Sequence, residues 1–548
     1  MLTPNTGPFT TADFSPQGGG IDFLGLRWVS LTIVGGDLVS ELNNVTQDMG
    51  VFCIGAWVPW KFRQLCKNER EYTARNYTVF REKVEVALSM TYSNEAGMPR
   101  PHGVVRRQLG STQKVNAPQR LAFTAVKRGP ENSLYAAANY GPALQALGLI
   151  ASYRSQARDG KESLRIPITS EDTGTGEIVE SVDNALRAAP NYSLLASLGA
   201  AETGWSEIRD LGVAGLDPAR IRAPEFARVK RAFREKLLPH SVELPGFSRT
   251  LTTRLIIETL RDAEGLSDWE LRNVWYTGRY NASRKFSPLD PMLQDHCARW
   301  SCLMARQYQR YPLELFLWCF EEGLGKGARS IDEIVNSWRK RSPEFNDSFK
   351  TPFREYLNGV AGDLLQDTDL ATSRMWNRKV IDLDDDRFEH VKDAKGDLAL
   401  DDALYMLGAW FWRVLVRLEG TISSELMKLG GSDRMAMAWF VTWLSNRINL
   451  TVGELVREIF SDLVFAQHMR IALARFDGKA QRLRFMLGDS GIEPTVSALK
   501  DLAKLPLPWM PDRLNSLIGL LCDCDVLKDE GGRLFVGPAA NDIPAAAA

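Results

Sequence analysis

The chain has 548 residues, of which 44% are hydrophobic and 25% are charged. This composition is typical of a globular protein with sizeable cores, and it excludes a fibrous repeat or wholesale disorder. The 67 basic and 68 acidic residues give a formal net charge of −1, so no global field favours nucleic acid or a membrane surface.

Residues 1–20 are polar and rich in Pro, Gly and Thr, and we predict that they form a disordered tail. They lack the basic region and the apolar region that make up a signal peptide. The seven cysteines are an odd number and are scattered, which does not fit a disulfide-bonded secreted domain. We therefore expect a cytoplasmic location.

An N-terminal helical domain with a basic segment is predicted over residues 21–170. Apolar residues at helical spacing follow Asp48 and continue to Phe62, and Pro59 should kink this helix. A second amphipathic helix is predicted from Tyr77 to Leu88. The polar Thr/Gly/Glu loop at 170–181 is a candidate domain boundary.

Two segments carry a local excess of positive charge. In residues 96–130 seven basic residues occur with no acid, whereas residues 218–240 contain seven basic residues and two acids, Glu225 and Glu235. The basic residues are Arg100, Arg106, Arg107, Lys114, Arg120, Lys127 and Arg128 in the first segment, and Arg220, Arg222, Arg228, Lys230, Arg231, Arg234 and Lys236 in the second.

Helical patterns predict a central domain over 182–362 and another helical domain over 403–478. Residues 363–402 hold twelve acids against six bases and are interpreted as an acidic linker. The most apolar run, 403–416, is interrupted by Arg413 and is shorter than the roughly 18 uncharged residues that a bilayer span needs. No membrane association is predicted.

The last segment, 479–540, changes in style. A strand is predicted at 482–487, helices at 494–505 and 511–521, and a hairpin through Gly531 and Gly532 into the apolar residues 534–536. This order is that of a winged helix-turn-helix. The fold class is therefore predicted as mainly α: a multi-domain helical protein with a C-terminal winged-helix-like unit, whose core is formed by Trp509, Leu514, Leu517, Ile518 and Leu521.

Motifs that carry catalytic or metal chemistry are not found. The glycine-rich stretch 323–327 lacks the spacing and the Ser or Thr of a phosphate-binding loop, and it is interpreted as a helix end followed by a turn. Cys297 and Cys302 are five residues apart on one predicted helix, and Cys522 and Cys524 lack a second pair, so neither pair suits zinc. We predict no catalytic residue, no metal ligand and no cofactor.

An alternative stays open, namely a metal-dependent nuclease or another DNA-processing enzyme with a dispersed active site. Its best local candidates are the carboxylates Asp384, Asp385 and Asp386, with Asp393 and Lys395 downstream. Because these residues do not lie on an apolar strand, the acidic-linker interpretation is favoured. The sequence therefore favours a protein without enzymatic activity.

The basic clusters are the remaining functional signal. Lysine and arginine bind phosphates irrespective of base sequence. The alternatives are an acidic protein partner, pairing with residues 363–402, or a solvated surface. The predicted nucleic-acid-facing or partner-facing residues are Arg106, Arg107, Lys127, Arg128, Arg228, Lys230, Arg231 and Arg234.

Three stretches together resemble a known group of proteins. They are 24–26 with 42–46 and the helix containing Trp57, then 468–473 continuing into 482–485, and finally 511–514. They look like the large helical accessory proteins encoded in bacterial anti-phage defence islands, such as those of Druantia-type systems. The resemblance implies a non-catalytic accessory or scaffold subunit beside a helicase or nuclease partner, binding DNA, partner proteins or both, and it carries over no site residues.

Overall fold

The computed structural model describes residues 22–91, 121–122, 133–136, 139–156, 164–199, 202–203, 211, 215–280, 284–366, 399–416, 423–474, 483–502, 506 and 510–543. Within these residues 64% are helical and 8% lie in strands, which confirms the mainly α class. The predicted tail at 1–20 and residues 367–398 of the predicted acidic linker lie outside the described residues, whereas 363–366 and 399–402 are helical.

Helices follow one another along the chain, because apolar faces recur at a spacing of three to four residues. The described α-helices are α1 (Arg27–Ile33), α2 (Met49–Leu65), α3 (Ala74–Thr91), α4 (Gly141–Ala146), α5 (Thr173–Arg187), α6 (Pro218–Ile221), α7 (Ala227–Leu237), α8 (Phe247–Arg261), α9 (Asp268–Thr277), α10 (Pro291–Gly325), α11 (Ile331–Arg339), α12 (Pro343–Ser348), α13 (Phe353–Gln366), α14 (Ala399–Val416), α15 (Ser424–Lys428), α16 (Met437–Ser445), α17 (Val452–Glu458), α18 (Gln467–Ala474), α19 (Val496–Asp501) and α20 (Leu514–Asp523).

The strands form short antiparallel pairs. The described strands are β1 (Leu121–Ala122), β2 (Ile150–Gln156), β3 (Leu164–Thr169), β4 (Glu202–Thr203), β5 (Phe485–Gly488), β6 (Gly491–Pro494), β7 (Leu527–Glu530) and β8 (Arg533–Val536). Within the described residues β1 pairs with β4, β2 with β3, β5 with β6, and β7 with β8.

The chain divides into two units, each built from two stretches. The first unit comprises residues 1–31 and 301–510, and the second comprises 32–300 and 511–548. The smaller subdivisions predicted from the sequence remain predictions.

In the second unit, α2 contains the predicted proline. Pro59 has no N–H, so the carbonyl of Gly55 four residues earlier lacks its helical donor. The Tyr135 hydroxyl donates to that carbonyl at 2.6 Å, and the Thr169 hydroxyl donates to the carbonyl of Ala56 at 2.9 Å. The carbonyls of Gly55 and Ala56 thus accept hydrogen bonds from side chains of neighbouring segments, while Trp57 is fully buried.

The C-terminal part of the second unit contains α20 and the β7–β8 hairpin. Leu514, Leu517 and Leu521 are fully buried and Ile518 nearly so, as predicted for a core, whereas Trp509 lies outside the described residues. Leu534 in β8 exchanges backbone hydrogen bonds with Leu266, at 3.3 and 2.8 Å.

In the first unit, the predicted strand and helix after residue 479 are observed at shifted bounds. The strand occupies β5, which pairs with β6, and the helix is α19. Phe485 is buried against Phe320 and Phe465, with ring centroids 5.0 and 5.4 Å away. The predicted segment 479–540 is therefore divided at residues 510 and 511 between the two units.

None of the described helices has an apolar stretch long enough to cross a bilayer.

Candidate nucleic-acid interface

Four of the predicted interface residues lie on α7 of the second unit. This helix buries Val229, Phe233 and Leu237 on one side, and the Phe233 ring lies 5.4 Å from Phe52 of α2. The spacing of three to four residues between the apolar positions is that of an amphipathic helix. The cations at 228, 230, 231 and 234 therefore do not all face the same surroundings.

Lys230 and Arg234, four residues apart, are turned toward the C-terminal segment. The Lys230 ammonium lies 3.0 and 2.9 Å from the two carboxylate oxygens of Asp525. Arg234 Nη2 lies 2.7 Å from Asp542 Oδ2. Their side chains are 9% and 12% exposed, so both charges are already neutralised and largely withdrawn from solvent.

Arg228 and Arg231, three residues apart, lie on the solvent side of α7. Arg228 is exposed, and among the described residues no carboxylate forms an ion pair with it. The Arg231 side chain is 63% exposed, and its Nε lies 3.9 Å from Glu235. Such an exposed pair contributes little to stability, since water screens it. These two guanidinium groups are available to an anionic partner.

Helix α5 packs antiparallel to α7 and adds a cation that the sequence reasoning missed. Asp172, the N-cap of α5, pairs at 2.9 Å with Lys236 near the end of α7. At the opposite end, a Cβ built on Gly215 would contact both Ala185 of α5 and Phe226, which precedes α7. The C-terminus of α5 therefore lies beside the N-terminus of α7.

This arrangement brings Arg187, the last residue of α5, to the end of α7 that carries Arg228. Its side chain is 55% exposed and its Nε lies 2.7 Å from Asp183 Oδ2. Arg220, in α6, is 46% exposed and pairs with Glu225. We call Arg187, Arg220, Arg228 and Arg231 the basic end. Arg187 could have been recognised in the sequence as the last residue of an amphipathic helix. A cation at that end also interacts favourably with the negative end of the helix dipole.

The other four predicted residues, Arg106, Arg107, Lys127 and Arg128, lie outside the described residues. Within their segment, β1 pairs with β4, with Leu121 opposite Thr203 and Ala122 opposite Glu202. Glu202 follows Arg187 by fifteen residues in the chain. The ladder thus ties the middle of the first basic segment to the chain that leaves α5.

A largely buried charge network connects Arg222, two residues after Arg220, to α2 and α20. Asp48 caps α2 and pairs with Arg222, with 2.6 Å between Oδ2 and Nη2. Arg222 Nε lies 2.9 Å from Asp523 Oδ1, and the Met49 N–H donates to Asp523 Oδ2 at 2.9 Å. Burial, with the nearby charge of Asp48, raises the pKa of Asp523 to about 7. The network joins α2, the loop after α6 and α20, so its role is structural.

A cleft of about 380 Å³ opens beside Pro59. Trp60 and Tyr72 line it together with Glu180, and Arg63 and Glu171 form an ion pair of 3.0 Å in its wall. Among its described lining residues no buried polar atom lacks a partner. The lining therefore points to no particular ligand.

Two neighbouring groups that could serve in catalysis, His296 and Cys297, have pKa values that burial shifts away from the neutral range. Burial, with a smaller effect of Arg299, lowers the pKa of His296 to about 3, and its ring lies 2.7 Å from the Thr252 hydroxyl. Burial raises the pKa of the Cys297 thiol to about 12. In the described part of the chain no three His, Cys, Asp or Glu side chains are placed to hold a metal. The nuclease candidates at 384–386, 393 and 395 lie outside that part.

No protein-family model, curated protein or solved structure matches this chain. Its function must therefore be argued from its own residues.

Proposed function

We propose that this protein is a non-catalytic accessory subunit of a bacterial anti-phage defence complex, and that it binds DNA through the basic end of its second unit. The observation that carries the DNA-binding role is the division of charge on α7. Lys230 and Arg234 are held by Asp525 and Asp542, whereas Arg228 and Arg231 face solvent.

Arginine suits this role because its planar guanidinium donates two parallel hydrogen bonds to a phosphate. Residues three apart on a helix lie on neighbouring turns, about 5–6 Å apart at Cβ, so Arg228 and Arg231 can engage adjacent phosphates. Such contacts are independent of base sequence and weaken as salt rises.

The accessory role is supported by the resemblance of the two ends of the chain to helical subunits of defence systems. It implies a helicase or nuclease as the protein partner. The proposal includes a winged-helix-like element to which α20 and the β7–β8 hairpin contribute.

The test is a titration of labelled duplex DNA with the purified chain, followed by fluorescence anisotropy over a range of salt concentrations. Charge reversal of Arg228→Glu with Arg231→Glu should weaken binding about tenfold or more. It should also flatten the log–log salt slope by about 0.9 per lost phosphate contact.

The matched control is Arg70→Glu with Arg75→Glu. These exposed arginines are also in the second unit, and the change in net charge is the same. Their substitution should leave affinity within about twofold, the residual long-range effect of surface charge at physiological salt. An equal loss in both variants would mean that only net charge matters, and would contradict a defined interface.

If the unaltered chain shows no affinity for DNA even at low salt, the nucleic-acid role fails. An acidic protein would then be the expected occupant of the basic end. Co-purification from the native host, compared between the unaltered chain and the Arg228→Glu, Arg231→Glu variant, would identify it.

A further inference from the structure

Elements far apart in the chain meet in the order of a winged helix-turn-helix. In that fold a short strand lies between the first two helices, and it pairs with the last strand of a hairpin that follows the third helix. Here α8 is followed by Leu266 and α9, and Leu266 pairs antiparallel with Leu534 of β8, the last strand of the hairpin that follows α20. Residues 278–510 are inserted between the second and third helices.

A buried ion pair marks the position where the helix-turn-helix turn would be. Arg272 of α9 binds Asp512 in a bidentate manner, with Nε–Oδ2 at 2.6 Å and Nη2–Oδ1 at 2.7 Å. Arg272 also donates to Asn515 Oδ1 at 3.0 Å. The Arg272 and Asp512 side chains are 3% and 2% exposed. The contact spans 240 residues of chain, so it fixes α20 against α9 despite the insertion.

The third helix of this element, α20, is not free to read bases. A recognition helix must present one face to the major groove. In α20 only Asn515 is exposed, while Gly519 and Cys522 are partly so. A Cβ added at Gly519 would lie 2.8 Å from the carbonyl oxygen of Gln47, and Asp523 accepts the N–H of Met49. The segment that begins α2 therefore covers the face that would enter a groove.

The same element holds the basic end in place. Asp523 ends α20 and pairs with Arg222, and Asp525 lies two residues further on and binds Lys230. Asp542, which follows the hairpin, binds Arg234. Each of these carboxylates fixes a cation of the 218–240 segment, and together they set which side of α7 faces solvent.

We infer that a winged-helix-like element split by a 233-residue insertion holds α7 in place, and that, among the described elements of the second unit, nucleic acid is contacted through phosphates at the basic end and not by this element. This inference rests on the proposed DNA-binding role. It adds that neither α20 nor the hairpin contacts the nucleic acid, so no base-reading contact supplements the phosphate contacts.

The first test compares duplexes of different base composition, using the full chain. Arg228→Glu with Arg231→Glu should weaken binding by a similar factor on every duplex. The comparison variant, Asn515→Asp with Lys528→Glu, alters the exposed residue of α20 and an exposed cation of β7. It should leave the affinity for every duplex within about twofold, because these positions make no phosphate contacts in the inferred binding mode. A tenfold loss in this second variant, or a tenfold preference of the unaltered chain for one sequence, would overturn the inference.

The second test does not depend on DNA. A double-mutant cycle of Arg272→Met and Asp512→Leu is measured by denaturant unfolding of the full chain. Coupling of about tenfold or more in the unfolding equilibrium constant is expected for a buried charge pair. Coupling below about twofold would contradict the split element, whatever the chain binds. If the chain does not bind DNA but the coupling is strong, the proposed function is refuted, whereas the packing of α20 against α9 in a split element still stands.

Discussion

His468 and Arg484 are joined by a hydrogen bond in which the backbone N–H of Arg484 donates to His468 Nε2 at 3.0 Å. Since Nε2 is the acceptor, the ring proton is on Nδ1, which donates to the carbonyl oxygen of Phe23 at 3.2 Å. The ring is therefore a neutral link between the 22–26 segment and β5 within the first unit. Burial is the largest cause that lowers its pKa to about 4.

This link predicts a loss of stability in acid. Below pH 6.5 the unfolded chain binds a proton at His468, whereas the folded protein binds it only near pH 4. The free energy of unfolding should therefore fall between pH 6.5 and 4, by about 3 kcal/mol for this group. Denaturant titrations at several pH values measure the slope.

His468→Gln is the control, because an amide keeps one donor and one acceptor but does not titrate. This variant should show a smaller decrease over the same pH range. The decrease should not vanish, because His296 also has a depressed pKa, about 3. An unchanged pH profile would show that His468 does not titrate across this window.

Arg484 predicts a large cost for a broken charge pair. Its Nε and Nη2 lie 2.7 and 2.6 Å from the two carboxylate oxygens of Glu321, and both side chains are nearly buried. Arg484→Met should destabilise the protein by about 3–5 kcal/mol, because Glu321 would remain as an uncompensated buried charge. Arg484→Met with Glu321→Leu should cost clearly less than Arg484→Met alone. Chemical unfolding of both variants checks the order.

The missing N–H of Pro59 predicts that the cost of a Tyr135 substitution depends on residue 59. Tyr135→Phe removes the donor to the Gly55 carbonyl and should cost about 1–3 kcal/mol, the penalty of an unsatisfied buried acceptor. With Pro59→Ala in the background, residue 59 regains an N–H that can serve that carbonyl, so the same substitution should cost less. Equal costs in both backgrounds, measured by thermal or chemical unfolding, would contradict the role of Tyr135 as the substitute donor to the Gly55 carbonyl.

The difference in burial between Leu517 of α20 and Leu487 of β5 predicts different losses of stability on substitution by alanine. Leu517 is fully buried, so Leu517→Ala should cost about 2–5 kcal/mol. Leu487 of β5 is 70% exposed, so Leu487→Ala should stay within about 0.5 kcal/mol of the unaltered protein. A near-zero effect at Leu517 would mean that α20 is not packed as described.

The sequence predicted what depends on local pattern. The helix after Asp48 and the buried leucines of α20 follow from apolar spacing. The kink expected at Pro59 stays a prediction, because the helix runs without interruption from Met49 to Leu65. The Gly531–Gly532 turn was likewise predicted, and both glycines have positive φ. Local pattern also identified α7 as basic.

Pairing between distant residues could not be predicted. Nothing near Lys230 or Arg234 in the sequence indicates that Asp525 and Asp542 neutralise them, so all four cations of α7 are predicted alike as interface residues. For the same reason the sequence predicts the winged-helix-like unit as one continuous segment, 479–540. The partner of its hairpin, Leu266, lies more than 200 residues before it.

The hydrogen bond from Met49 to Asp523 spans 474 residues, and it has a consequence for how the protein is made. A ribosome that adds about 5–20 residues per second completes Asp523 roughly 20–100 seconds after Met49. Throughout that interval the nascent second unit lacks α20 and β8, so Arg272 of α9 and Leu266 have no partners from this part of the chain. Translation that stops before residue 511 leaves Arg272 without Asp512. Such products cannot complete the second unit, because α20 and the β7–β8 hairpin all lie after residue 511.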